Sequence, residues 1–522
     1  MSVSGIAEAF LSSAARHKDR TALWVREQAI TYAELRARAA SIAGALTSRN
    51  PFAPGDRIAI LCDRTATAYA SVLGALLAGA AYVPLNPRFP PERNRAILSG
   101  SGASALVIDQ RNVAGVAQLV EGLERTPFIV APESTAIPLQ ESLHWAGMRD
   151  LPRDMPDSQL RCGRSDNDLA YIMFTSGSTG VPKGVPISHG NLAAYVANAT
   201  ALGSVTAEDR IIQLADLSFD ISVHDMFVSW LNGAMLCSIP ENATLMAVRF
   251  VEELNVSGWF SVPSTAGLLK QAGFLAPGAM PTMRFTFFCG EALTAAVADA
   301  WAQAAPNATV FNLYGPTEAT VAFSAFRCRA GQFEPSAIVP LGEAFSGQSI
   351  GLFEPDRPSP AQSDVGEICL SGSQVCAEYW SAPELTARRF FALDGRWWYR
   401  TGDLGRYDAQ LGLVFAGRVD HQVKIRGYRV ELQEIEGVVR KASGRDLVAV
   451  LPWPATADGG ATGCVAFVGG AAGDGEFVRG ECRRLLPDYM VPSRIIYLTE
   501  MPLNSNGKID YLRLRSHQSL SA

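Results

Sequence analysis

A chain of 522 residues is longer than one hydrophobic core supports, so at least two domains are expected, and an apolar fraction of 48% is ample to fill them. A formal charge of −6 with dispersed Lys and Arg leaves no basic tract, so neither nucleic acid nor an anionic membrane is expected as a partner. Nine scattered cysteines without close CxxC spacing argue against a disulfide framework and a zinc site, and for a reducing compartment.

The N-terminus, MSVSGIAEAFLSSAARHKDR, lacks a basic segment leading into a long apolar core, and no apolar run reaches transmembrane length; a soluble cytoplasmic protein is expected. Apolar spacing predicts a helix over 6–17, and Thr31 with Glu34 has the capping-box pattern that opens a second helix at Tyr32. From Arg57 onward RIAILCD, an alanine-rich stretch, AAYVPLN, an arginine-bearing stretch and SALVID alternate strand with helix, predicting βαβ units around a parallel sheet. Residues 127–166, rich in Pro, Ser and Asp, are expected to form a loop.

That loop feeds the run YIMFTSGSTGVPKG, residues 171–184, in which a buried strand delivers a glycine- and hydroxyl-rich segment ending on Lys183. Gly177 and Gly180 let backbone N–H groups approach an anion; Thr175, Ser176, Ser178 and Thr179 add donors and Lys183 adds charge. A polyphosphate cradle is expected. A plain Ser/Gly surface turn predicts neither the strand before the loop nor the lysine after it. The Walker pattern is not matched, because its lysine directly follows the second glycine and precedes a hydroxyl.

Beyond it, His189 and Asn191 precede a helical run, 211–214 reads as a strand, and Ile221, Phe227 and Leu231 have the spacing of a helix beginning near Asp220. On spacing alone Asp220 is as well read as a helix N-cap as a ligand. A lone histidine such as His224 is more often core or surface, although it falls one turn beyond Asp220 on the same face. Strand and helix follow over 259–269, then a buried strand over 285–289 ending at Gly290. From Ile338 short strand-like pieces among prolines and glycines predict a small β-barrel, and the last hundred or so residues read as a compact α+β unit: a helix over 432–441, a hairpin of DLVAVLP and GCVAFVG, and a helix over 477–485. The predicted class is α/β.

Several segments in order, LAGAAYVPLNP, YIMFTSGSTGVPKG, FDIS, NLYGPTEAT, YRTGDLGRYD, GRVDHQVKIRGYRVELQEIE and NSNGKID, resemble the motifs of the adenylate-forming enzymes: acyl-CoA synthetases, luciferases and the adenylation domains of nonribosomal peptide synthesis. The resemblance covers nearly the whole chain. It implies an N-terminal core over 1–419, with βαβ sheets and a small barrel, and a mobile lid over 420–522 hinged at Asp420. It implies ATP bound by the 175–184 loop, with Asn312, Tyr314, Gly315 and Thr317 at base and phosphate, Glu318 on Mg²⁺, Asp403 on the ribose hydroxyls with Arg418 beside it, and Lys508 at the substrate carboxylate and α-phosphate. Lys424 and Gly427 are implied to face the acceptor's thiol in a second pose. By itself Lys508 also reads as a solvated lysine in a polar turn, and GPTE as a Pro-Gly turn.

The aspartate of the FDIS motif is, in the peptide-synthesis branch, the ligand of a substrate's α-amino group. The pocket implied by position is Phe219, Asp220, Ile221, His224, Ser261, Phe287, Cys289, Gly290, Leu313, Val321 and Ala322, which suits a small substrate such as alanine, serine or glycine, with His224 and Ser261 leaving room for a polar substituent. FFCGEAL followed by NLYGPTEATVA is also similar to D-alanyl carrier protein ligases, from which His224 departs. The expected activity is a stand-alone amino-acid adenylating ligase that loads a separate phosphopantetheinyl carrier protein, since no carrier signature follows Lys508 and no condensation motif is found. An acyl- or aryl-CoA synthetase, and a nucleotide-binding relative without catalysis, are the alternatives.

Overall fold

The computed structural model describes residues 5–49, 55–137, 144–152, 155–160, 165–177, 182–240, 243–419, 422–455, 460–503, 509–517 and 520. They divide into two compact units: Met1–Pro87, Ile97–Phe174 and Gly184–Val419 form one; Arg88–Ala96, Thr175–Lys183 and Asp420–Ala522 form the other.

The first unit is built on two large sheets and a smaller antiparallel one. A seven-stranded sheet runs in the order Trp145–Gly147, Phe128–Ala131, Ala105–Ile108, Arg57–Leu61, Ala81–Leu85, Leu169–Thr175, Lys183–Ser188. Its strands are apolar on both faces, as a parallel sheet covered by helices requires. The capping box expected at Tyr32 forms: Thr31 N–H donates to Glu34 Oε2 at 2.8 Å and Glu34 N–H to Thr31 Oγ1 at 3.2 Å. The expected loop over 127–166 is corrected in part. Phe128–Ala131 and Trp145–Gly147 are strands added in parallel to the sheet, hidden by a composition that reads as turn because each is short.

A nine-stranded sheet carries the strands that matter most for function. Arg210–Gln213, Gly258–Ser261, Phe285–Phe288 and Thr309–Tyr314 lie side by side and parallel, so their carboxyl ends open on one edge. In such sheets the ligand crevice lies at those ends. The helix Asp220–Leu231 follows the first of these strands, and its buried face, with Val223, Phe227 and Trp230, packs into the main core.

Where a small barrel is expected, the chain forms a half-barrel of five antiparallel strands: Gln348–Phe353, Val365–Gly372, Arg396–Asp408 and Phe390–Leu393 in that order, with Gly412–Arg418 on the long strand. Among the described residues no pairing closes it into a full barrel. The thirteen-residue strand Arg396–Asp408 pairs with Phe390–Leu393 along its first part and with Gly412–Arg418 along its second, which turns the sheet.

The second unit has its own core. The hairpin Gln422–Ile425 and Tyr428–Glu431 leads into the helix Leu432–Ser443, and Val448–Pro452, Cys464–Gly469 and Arg494–Leu498 form a three-stranded sheet. One face of that sheet packs Val450 and Ala466 on Ile435 and Val439; the other packs Leu451 and Phe467 on Leu514. The expected hairpin and helices are all present. The eight described cysteines are free thiols, and no described helix is long and apolar enough to cross a membrane.

Candidate active site

Asp220 is the first residue of its helix; the N-cap is Phe219, in extended conformation and without a side-chain cap bond. The carboxylate therefore does not close the helix end, but lies at its positive pole, where negative charge is favoured. Its Oδ2 accepts a hydrogen bond of 2.7 Å from the hydroxyl of Thr317, a residue expected at the phosphates. Thr317 opens the one-turn helix Thr317–Ala319 that follows the strand Thr309–Tyr314. The next residue, Glu318, is fully buried and accepts from the Tyr379 hydroxyl at 2.6 Å, with the Tyr399 hydroxyl 3.3 Å beyond.

The chain then doubles back. A Cβ on Gly315 would stand 2.6 Å from Ala322 Cα, so the glycine is required by this close approach. Thr320 (φ 57°) and Val321 (φ 70°) are left-handed, a conformation that a β-branched residue holds only under constraint. Gln374 supplies the constraint: its carbonyl accepts from Thr320 Oγ1 at 2.6 Å and its Nε2 donates to the Ala322 carbonyl at 2.8 Å.

Behind Asp220 the expected pocket residues are brought together in one core. Ile221, Phe287, Cys289, Leu313, Val321 and Ala322 belong to a single apolar cluster. Cys289 lies 3.9 Å from the Val321 carbonyl and donates its N–H to the Ser261 carbonyl; Gly290 turns away at φ 92°. His224 is fully buried, with Nδ1 2.7 Å from the Tyr195 hydroxyl and its ring edge-to-face with Phe260 and Phe287. Burial pushes its imidazole down to about 3, so the ring is neutral. The Ser261 hydroxyl, expected to be open to a substituent, is already engaged: it accepts from Trp259 Nε1 at 2.9 Å and donates to the Val262 carbonyl at 3.1 Å.

The half-barrel brings a second cluster to Tyr314. Its hydroxyl donates to Asp403 Oδ2 at 2.7 Å, while Asp403 Oδ1 is ion-paired with Arg418, the residue opposite it across the strand pair. Burial first, and the Asp403 charge second, hold the Tyr314 phenol well above its ordinary range. A buried pair positions this part of the strand: Arg400 Nη1 to Glu367 Oε2 at 2.5 Å, with Gly402 N–H on Glu367 Oε1 at 3.1 Å. Asn312 is less open than expected, since its amide nitrogen donates to the carbonyls of Val339 and Pro340 at 3.1 and 2.9 Å.

A carboxylate at a helix head, a buried glutamate one step from its hydroxyl donor, and a Tyr–Asp–Arg cluster all lie in one unit whose sequence pattern matches, over residues 10–380, the family described as AMP-binding enzyme. The chain belongs to that family. Tyrocidine synthase 2 of Brevibacillus parabrevis is 32% identical over 510 residues, covering 97% of this chain and 13% of the synthase. Novobiocin biosynthesis protein H of Streptomyces niveus is 32% identical over 92% of this chain and 78% of its own length. The crystal structure of the Vibrio cholerae adenylation domain AlmE in complex with glycyl-adenosine-5'-phosphate superposes with a TM-score of 0.89 at 33% identity, covering 99% of both chains. This AMP-binding enzyme thus spans about an eighth of the synthase it matches.

The segment expected to cradle phosphate groups with the second unit. Thr175 ends its strand with Oγ1 buried and without a partner among the described residues, and the Ser176 hydroxyl donates to the Arg429 carbonyl at 2.7 Å. Gly177 is buried, and Lys183 opens the next strand. Ser178, Thr179 and Gly180, expected in the cradle, lie outside the described residues, as do the expected hinge Asp420 and catalytic Lys508. Lys424 and Gly427 lie in the hairpin Gln422–Glu431, whose two-residue turn has Arg426 at φ 51° and Gly427 at φ 84°, both left-handed as such a turn demands. Tyr379, Tyr195, Gln374 and the Glu367–Arg400 pair were not legible in the sequence, because nothing local marks the second partner of a contact made across the fold.

Proposed function

We propose that this adenylate-forming enzyme activates a small amino acid. The carboxylate oxygen of the substrate bonds to the α-phosphorus of ATP as the bond to pyrophosphate breaks, giving aminoacyl-AMP; a carrier protein's phosphopantetheine thiol then attacks the carbonyl carbon and AMP leaves. The reading rests on Asp220, a carboxylate at a helix head held by Thr317 beside the apolar cluster of Ile221, Phe287 and Leu313, which suits a substrate ammonium. The similar AlmE domain was solved with an aminoacyl adenylate, which agrees.

Two anions must meet in the first step, so catalysis is positioning and charge stabilisation. In this reading the loop hydroxyls and Lys183 bind the triphosphate, Lys508 bridges carboxylate and α-phosphate, Tyr314 stacks on the base and Asp403 with Arg418 receives the ribose. The chemistry of the donor set fits Mg²⁺: Glu318 is a buried carboxylate, and this ion takes one or two carboxylates with substrate phosphates for the rest. When bound, it would neutralise charge on the phosphate oxygens. Carrier loading would use the hairpin with Lys424 and Gly427, the lid swinging at Asp420.

ATP–pyrophosphate exchange over a panel of amino acids of both chiralities tests the reading. Exchange is expected with small α-amino acids and is expected to disappear in Asp220→Ala, because the ammonium loses its half-buried counter-charge, a loss of several kcal/mol. Full activity of that variant on amino acids, or consumption of free CoA with simple carboxylic acids instead, contradicts it.

A further inference from the structure

Both short segments that group with residues 420–522 are ends of elements rooted in the first unit: Arg88–Ala96 enters the helix Pro91–Ser101, and Thr175–Lys183 joins the strands Leu169–Thr175 and Lys183–Ser188. Inside the second unit each of them is held by a buried contact. Arg93 Nη1 pairs with Glu434 Oε1 at 2.6 Å, the two side chains 6% and 1% exposed, and Glu434 stands in the first turn of the helix Leu432–Ser443. The Ser176 hydroxyl donates to the Arg429 carbonyl at 2.7 Å, on the strand Tyr428–Glu431 that leads into the same helix. One strand–helix junction thus grips both segments. A hydroxyl carries one hydrogen, so while Ser176 donates to that carbonyl it does not donate to a phosphate oxygen. The ion pair is buried yet thinly bonded: Glu434 Oε2 and Arg93 Nε have no hydrogen-bond partner among the described residues. Such a pair offsets only part of the desolvation of its two charges, and both regain water on separation, so it closes reversibly.

We propose that the Arg93–Glu434 pair and the Ser176–Arg429 bond form an autoinhibitory latch that competes with ATP: closed, it withholds the Ser176 donor from the triphosphate, and nucleotide binding opens it. The inference rests on the reading of the 175–184 segment as the phosphate site of ATP. On opening, Ser176 exchanges a neutral carbonyl for a charged phosphate oxygen, the stronger acceptor, and this exchange drives the release. Because Arg429 and Glu434 sit on the same junction, displacing it breaks both contacts together. The latch lowers apparent affinity by the fraction of molecules left open, so an enzyme latched in about nine molecules of ten binds ATP about tenfold more weakly than its open form. Neither Arg93 nor Glu434 is a residue expected to touch ATP, so whatever their pairing does to ATP affinity is exerted through the latch.

The test is the Kd of the full chain for MgATP, measured by titration calorimetry without amino acid so that no adenylate forms. Arg93→Glu sets two carboxylates against each other and opens the latch; the Kd should fall at least about threefold, a gain of affinity that damage to a structural pair does not give. The charge swap Arg93→Glu with Glu434→Arg restores opposite charges and should carry the Kd most of the way back. Glu434→Gln, which keeps the shape and weakens the pair, should lower the Kd in the same direction by a smaller factor, so the sign is read even where Arg93→Glu does not fold. A Kd that is unchanged or raised in the single variants overturns the inference, as does a gain that the swap leaves in place. Failure of the wild type and every variant to bind MgATP overturns the underlying reading as well, whereas equal binding by all of them overturns the latch alone.

Discussion

The hydroxyl of Thr317 is the residue-scale feature with the sharpest consequence, because it touches Asp220 and precedes Glu318. Thr317→Val keeps the shape and removes the donor. A hydrogen bond to a charged group contributes about 1.5–3 kcal/mol, so the KM for the amino acid should rise about tenfold or more and Thr317→Ser should restore it. A rise confined to the KM for ATP would instead assign the hydroxyl to the phosphates. His224 gives a stability prediction. Its folded value, about 3, lies below the ordinary 6.5, so between those limits the unfolded chain binds a proton that the native state refuses. The contribution is therefore present above pH 6.5 and lost as pH falls. Urea unfolding should show the advantage of the wild type over His224→Gln shrinking by about 1 kcal/mol from pH 6.5 to 5.5. A constant difference would mean that the imidazole is not buried neutral.

Among the elements, the half-barrel holds a buried ion pair between two of its strands. Arg400 and Glu367, at 7% and 3% side-chain exposure, tie two strands just before the stretch of strand that delivers Asp403 to Tyr314. Arg400 also lies 4.6 Å over the Phe391 ring. Arg400→Met leaves the glutamate charge buried and unpaired, for which the expected loss is about 3–5 kcal/mol, read as a lower denaturant midpoint, together with a higher KM for ATP. A loss under about 1 kcal/mol would show that the strand is held by its backbone bonds instead. The Glu318 turn is constrained differently, by Gln374 bracketing two left-handed residues.

For the whole molecule, the division into two units bears on the two half-reactions proposed for this chain. Residues 88–96 and 175–183, which the sequence assigns to the N-terminal domain, group with 420–522. A lid that changes partners needs a backbone that can rotate, and Asp420→Pro fixes φ near −65°. Adenylate formation should then be retained while carrier loading falls, measured as pyrophosphate exchange against thioester formation on a holo carrier protein. Equal losses in both would make Asp420 a folding residue.

Much of this protein was determined by sequence-local rules. Thr31 with Glu34 sets its own helix start, the apolar runs near Arg57 and Phe285 can only be buried parallel strands, and the order of the glycine-rich and acidic motifs carries the family, because each depends on neighbours within a few residues. The sequence also marked Asp220, His224 and Asp403, yet not what each would touch. That Thr317 bonds Asp220, that Tyr379 holds Glu318, that the Ser261 hydroxyl is engaged and that His224 is buried against the Tyr195 hydroxyl were decided by tertiary structure. Such contacts join residues far apart in the chain, and their chemistry is fixed only when folding removes water and leaves each polar group the partners that geometry allows.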